Sequence, residues 1–414
     1  MSLESFHRPL PTLHEILRDF GLIYGINGLI GFIFAASGPV AIILTVGSRG
    51  GLDHAQLSSW IFGAFFFNSI LSLVFCITYR KPLVFFWTIP GAVLVGAAFA
   101  HLSFAEVVAA YIATGILMLL LGFSGWVRRA MNVVPMPIVM AMVAGVFLQF
   151  GLDLVFALRD GFVIAAPMCA VFLLLSAVVP LGKLLPPLIG ALITGVVGIF
   201  LTGGFEPAGD LPVGLALPVF VRPEFSVAAM VELVVPLMIT VIVVQNGQGI
   251  AILKAARHDP PINAITVACG GVSLLTSVIG TVSTCLTGPV NALISASGER
   301  HRQYTAGIFV AVLGILFGLF APLFTNLMLA SPPAFIATLA GLAMLRVLQS
   351  SMTTAFGGVC SLGALITFLV TLADVPIFGL GAPFWGLVFG CATSWLLERE
   401  AYLGALSGVR DDGP

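Results

Sequence analysis

The chain has 414 residues, of which 59% are hydrophobic and only 8% charged, with a mean hydropathy of +1.13. Soluble domains carry about 25% charged residues, so this is an integral membrane protein; at roughly 20 apolar residues per helical span its length allows about twelve to sixteen spans and excludes a lone anchor. A net charge of −1, from 17 Lys+Arg and 18 Asp+Glu, offers no cationic face and excludes nucleic acid as a main partner.

Residues 1–19 mix acids, bases and prolines, unlike a signal peptide, and form a cytosolic arm that is amphipathic around residues 13–20. Apolar runs then follow at 20–47, 56–79, 82–100, 105–127, 133–158, 161–181 and 184–203. A loop at 204–226 precedes runs at 227–253, 262–280, 282–297, 305–330, 333–348, 351–373 and 377–397, and a cytosolic tail occupies 398–414. The fold class expected is an all-α polytopic membrane protein with fourteen transmembrane segments. Lys and Arg accumulate in cytoplasmic loops. With the N-terminus inside, thirteen cations fall there (Arg8, Arg18, Arg80, Lys81, Arg128, Arg129, Lys183, Lys254, Arg257, Arg300, Arg302, Arg399, Arg410), against Arg49, Arg159 and Arg222 outside and Arg346 within a helix. Both termini are thus expected on the cytoplasmic side of the inner membrane.

The halves resemble each other. Phe172–Pro180 and Phe368–Pro376 share five of nine residues at an offset of 196, and the same offset pairs Pro137–Gly145 with Pro333–Gly341 and Pro187–Gly190 with Pro383–Gly386. Seven spans per repeat (20–203 and 227–397) is an odd number, so the second repeat is inverted. Inverted repeats mark secondary transporters, which hold substrate near the midplane where discontinuous helices meet.

The third and tenth runs carry matching breaks, Trp87-Thr88-Ile89-Pro90-Gly91 and Thr287-Gly288-Pro289-Val290-Asn291. Proline suits a first helical turn and pushes the residues before it to extended geometry, so each run is expected to be an extended stretch followed by a half-helix. The free N–H groups and positive dipole end of such a helix bind anions without a charged side chain. The candidate substrate site therefore lies near Ala92 and Val290. Its polar contacts are Thr88, Gln245, Asn246, Thr287 and Asn291, Gly91 and Gly288 flank the prolines, and Trp87 or Phe86 lies against an aromatic ring. Gln245 and Asn246, in Gln245-Asn-Gly-Gln-Gly-Ile250, can each donate and accept, while Asn27 and Ser37 are weighed equally as packing residues.

Ionisable residues in apolar runs are functional hypotheses by default. Glu232 is the candidate proton carrier; Arg346 either assists an anion or snorkels; Asp153, Asp374 and Glu106 lie near predicted ends. The six cysteines show no CxxC pair, no metal ligand set or cofactor motif emerges, and no HExxH or Ser/His set suggests an enzyme.

Gln245-Asn-Gly-Gln-Gly-Ile-Ala-Ile-Leu-Lys-Ala-Ala-Arg-His-Asp-Pro-Pro261 resembles the QNxxGxAxLxxAxxxPP run of the benzoate:proton symporter (BenE) family, within the nucleobase and sulfate transporter superfamily. Ala55–Trp60, Tyr79–Pro82, Trp87–Gly91, Phe150–Asp153 and Phe384–Val388 add to the likeness, which covers most of the chain. The resemblance implies a core domain at about 20–130 and 227–330, a gate domain at about 131–203 and 331–397, movement of one against the other, and a homodimer. It implies proton-coupled symport of benzoate or a related small aromatic or organic carboxylate. Gln245 stands near the glutamate with which nucleobase carriers hold their base, and an amide there suits an anion. The family's Gly-Gly-His before the tenth-segment Asn is absent from Leu286–Asn291, which keeps a nucleobase or another inorganic or organic anion open as the alternative cargo.

Overall fold

The computed structural model describes residues 3–4, 9–127, 134–204, 214–296, 298–375, 377 and 382–407. Arg8, Arg128, Arg129 and Arg410 of the cation tally, and Pro376 of the repeat, lie outside the described residues. The described chain is almost entirely helical. Helices α1 (Leu13–Asp19), α2 (Leu22–Ala36), α3 (Gly38–Arg49) and α4 (His54–Tyr79) lead to strand β1 (Phe85–Trp87) and the short α5 (Ile89–Ala98). Next come α6 (Phe104–Ser124), α7 (Met136–Asp160), α8 (Phe162–Ala177), α9 (Val179–Leu184) and α10 (Pro187–Thr202). After an extended stretch, α11 (Val227–Ala255) contains π-helical turns at Met230–Val234 and Thr240–Asn246. Then α12 (Ile262–Ser277), strand β2 (Thr284–Leu286), α13 (Gly288–Ile294), α14 (Tyr304–Leu319), α15 (Ala321–Leu329), α16 (Pro333–Phe356), α17 (Ser361–Ala373), α18 (Ala382–Leu397) and α19 (Arg399–Ser407) complete the order. Among the described residues, seven helices are long and apolar enough to cross a membrane, the α2–α3 pair counted as one.

The punctuation has local causes. Asp53 and Gln56 form a reciprocal capping box at the start of α4, as do Ser103 and Glu106 at α6 and Thr12 and Glu15 at α1. Glu106 is therefore spent on a helix cap. Proline in the first turn opens α7, α10 and α16. Ser37, with non-helical backbone angles, breaks the first apolar run into α2 and α3. The expected boundary between the twelfth and thirteenth runs, at 348–351, is displaced: α16 runs on to Phe356 and α17 begins at Ser361. The polar stretch from Gln349 to Thr354 leaves helical hydrogen bonding intact, and only the Gly357–Gly358 pair ends it.

Packing falls into two groups. α14 lies on α4 and α2, and α12 lies on α6; α7 lies on α16 and α17, α8 on α10, and α17 on α18. The strands β1 and β2, about 200 residues apart in sequence, pair antiparallel with Phe85 opposite Leu286 and Trp87 opposite Thr284. Both strands are fully buried.

Candidate functional site

Non-helical backbone inside a membrane protein is tolerated only where its polar groups find partners, and here side chains supply them. Ser72 Oγ accepts from Phe85 N–H at 2.8 Å, Asn291 Oδ1 from Val84 N–H at 2.9 Å, Ser273 Oγ from Thr284 N–H at 2.9 Å and Asn246 Oδ1 from Leu286 N–H at 2.7 Å. Asn291 Nδ2 also donates to the carbonyls of Val84 and Thr287. The ladder is held in place by Asn246 and Asn291, which are both buried and absent from the wall of the central cavity.

That cavity, of about 1030 Å³, lies between the two groups of helices. One wall consists of Ile30 and Phe34 of α2, Ile89 and Pro90 of α5, residues between Val243 and Ala251 of α11, and Pro289 of α13. The other consists of residues from α7, α8, α10 and α16, including Phe147, Phe172 and Arg346. Its size is at the top of the range for ligand sites, about 300–1,000 Å³. The wall is mostly apolar with a few polar groups, as suits a small amphipathic solute.

Of the residues expected to touch substrate, Gln245 lines the cavity; it is 5% exposed and makes no side-chain hydrogen bond among the described residues. Thr88 is not on the wall: its hydroxyl accepts from Gly91 N–H at 3.1 Å and donates to Thr240 Oγ1 at 3.1 Å. Thr287, Ala92 and Val290 are buried behind the prolines, Gly91 packs on Thr88 and Leu237, and Gly288 lies under the Gln248 side chain. A Cβ on Gly288 would come within 2.6 Å of Gln248 Oε1, so this position admits no side chain without moving the amide. The rings of Trp87 and Phe86 also face away from the cavity, packing on Phe65 with centroids 5.1 and 5.2 Å apart. The aromatic faces on the cavity are those of Phe34, Phe147 and Phe172 instead.

Sequence reasoning thus missed Gln248. The signal for it was helical spacing, since positions three apart share a face and Gln248 follows Gln245 by three. It also missed His101, whose Nε2 lies 2.8 Å from a Glu232 carboxylate oxygen; Glu232 is 3% exposed and sits in a π-helical turn. Asp153 pairs with Arg49 at 2.8 Å, and Asp374 ends α17 in left-handed backbone geometry. At the far end of α13, Gln303 donates to Ser295 O at 3.0 Å and holds His258 Nε2 at 2.8 Å. Burial holds the buried His258 below the usual histidine range against the pull of that Gln303 bond, and Arg300 and Lys81 lower it further.

Three comparisons bear on this arrangement. The profile of the family described as benzoate membrane transport protein (BenE) matches residues 22–396. The chain is 30% identical over 368 residues to the inner membrane protein YdcO of Escherichia coli (strain K12), covering 88% of this chain and 93% of that one. It is 29% identical over 392 residues to the benzoate membrane transport protein of Acinetobacter baylyi, covering 94% and 98%. Among solved structures, the transmembrane domain of a cyanobacterium bicarbonate transporter, BicA, superposes with a TM-score of 0.60 at 15% identity, covering 88% of this chain and 96% of that one. Murine solute carrier 26 family member A9, an anion transporter in the inward-facing state, gives 0.60 at 15% identity, covering 94% and 71%. These two likenesses establish the fold alone. The chain belongs to the benzoate membrane transport protein family: it is a membrane transport protein and not an enzyme.

Proposed function

We propose that this transporter moves benzoate or a related small aromatic carboxylate across the inner membrane together with a proton, by alternating access. The observation that carries the reading is the mostly apolar cavity between two helix groups, with the buried amide of Gln245, which has no side-chain hydrogen bond among the described residues, on its wall with Pro90 and Pro289. The substrate ring packs among Phe34, Phe147 and Phe172, and its carboxylate accepts from Gln245 and Gln248. The fourteen segments form a seven-plus-seven inverted repeat in which α5 and α13 are the half-helices of segments three and ten. The helices at about 20–130 and 227–330 form the core, those at about 131–203 and 331–397 form the gate, and the substrate rides with the core. Both termini are cytoplasmic, so the cavity with Arg346, Ser350 and Thr354 on its wall opens inward. The protein acts as a homodimer.

Glu232, paired with His101, carries the proton. It lies thirteen residues before Gln245 on α11, about 20 Å along the axis, and both π-helical turns of that helix carry one of these two residues. π-Helical turns concentrate at functional sites, and this one links the proton site to the substrate site along one element.

The test is uptake of radiolabelled benzoate into proteoliposomes, with and without an inward proton gradient, by wild type, Gln245→Ala and Glu232→Gln. The expected result is gradient-stimulated uptake in wild type. Uptake should fall about tenfold or more in Gln245→Ala, the cost of losing hydrogen bonds to a charged group, and Glu232→Gln should lose the stimulation. Transport of uracil or sulfate in place of benzoate would sink the cargo assignment.

A further inference from the structure

Arg346 is the fourteenth residue of the 24-residue helix α16, about 20 Å from its start and about 15 Å from its end. A cation at that depth is costly unless it faces a wet cavity or an anion. Arg346 lines the central cavity, and among the described residues on its wall no other is charged. No carboxylate lies within ion-pair distance of it among the described residues; its guanidinium donates to Gln349 Oε1 at 3.3 Å, one turn away. A guanidinium has five donors in a planar fork that matches a carboxylate, so most of its capacity remains unused. Gln245 and Gln248 are on the opposite wall, and they present amides that bind anions and neutral carbonyl compounds alike.

From these observations we infer that Arg346 is the charge-selecting residue of the cavity: it supplies the counter-charge that makes the cargo an anion, and does so from α16, across the cavity from the amides. The inference rests on the anion-transport reading above and adds to it the residue that distinguishes a carboxylate from its neutral amide. Cargo bound between the amides and Arg346 touches both helix groups at once.

Two measurements test it, one of them independent of cargo. Ser350 also lines the cavity, four residues from Arg346 and therefore on the same helix face. In a Ser350→Cys background, with the parent protein as control, the rates of modification by anionic sulfonatoethyl and cationic trimethylammonioethyl methanethiosulfonate are compared. Arg346→Gln should lower the anionic-to-cationic rate ratio about fivefold, the effect of removing one charge across several ångströms of water. In proteoliposome uptake, Arg346→Gln should raise the benzoate KM about tenfold, the scale of a lost charged hydrogen bond, with a smaller change in maximal rate, while Arg346→Lys should restore most of the affinity. An unchanged labelling ratio overturns the inference. So does an unchanged KM in Arg346→Gln when wild type transports benzoate. If wild type carries no benzoate at all, the cargo assignment fails, and the labelling ratio alone decides the role of Arg346. Arg346→Lys, which keeps the charge, separates loss of charge from loss of fold.

Discussion

The two breaks in the membrane-buried chain are built from similar residues and stabilised differently. At the first, Thr88 caps α5 from within: its hydroxyl takes Gly91 N–H and is itself anchored on Thr240. At the second, Thr287 makes no cap bond and its hydroxyl has no partner among the described residues. Support comes instead from Asn291, inside α13, which reaches back to Val84 and Thr287, and from Gln248 lying over Gly288. Only at the first does the threonine itself cap the half-helix; the extended stretches of both breaks lean on side chains from neighbouring elements. The uncapped start of α13 lies under Gln248, which with Gln245 lines the cavity.

Asn291→Leu should break the comparison most severely. It leaves the buried Val84 N–H without an acceptor, at a cost of about 1–3 kcal/mol for that group alone and about 3 kcal/mol with the other lost bonds; thermal unfolding in detergent measures it. A smaller effect separates the two threonines. Thr88→Val removes a cap and should cost about 1 kcal/mol, whereas Thr287→Val, an isosteric change at a hydroxyl with no hydrogen bond, should cost close to nothing. Equal losses in the two variants would refute the asymmetry. The smallest effect is a pH dependence confined to the second break. His258 is neutral in the fold because its folded pKa lies below the unfolded value. As pH falls through about 6.5 the unfolded chain takes up a proton first, so the stability linked to burial of a neutral His258, which outweighs the opposing pull of the Gln303 bond, is complete above that pH and is lost below it. Amide protection factors at pH 7.5 and 5.5, corrected for the slower intrinsic exchange at the lower pH, should fall around Ser295 at pH 5.5 while those of α5 are unchanged.

Much of this arrangement is legible in the amino acids. A proline two residues after a threonine, in an apolar run of each half, marks both breaks, and Gln245 stands out as an amide in an otherwise apolar helix. The partition among neighbouring polar residues is not legible. Gln245 and Asn246 are adjacent, yet a helix turns about 100° per residue, which sends one amide to the cavity and the other to the backbone of β2. Only the pairing of β1 with β2, a contact between residues about 200 apart, decides which is which. The same contact turns Trp87 and Phe86 into Phe65 and away from the cavity, although both looked suited to an aromatic ring. His101 escaped notice because its partner, Glu232, is 131 residues away.

The pairing of β1 with β2 also sets a schedule for biogenesis. Translation at about 5–20 residues per second separates the two strands by roughly 10–40 s, and both Asn246 and Asn291 emerge on the later side of that gap. Until then Val84 N–H has no acceptor from Asn291, and Phe85–Trp87 has no strand to pair with. The N-terminal half of the chain is therefore completed only by residues of the C-terminal half.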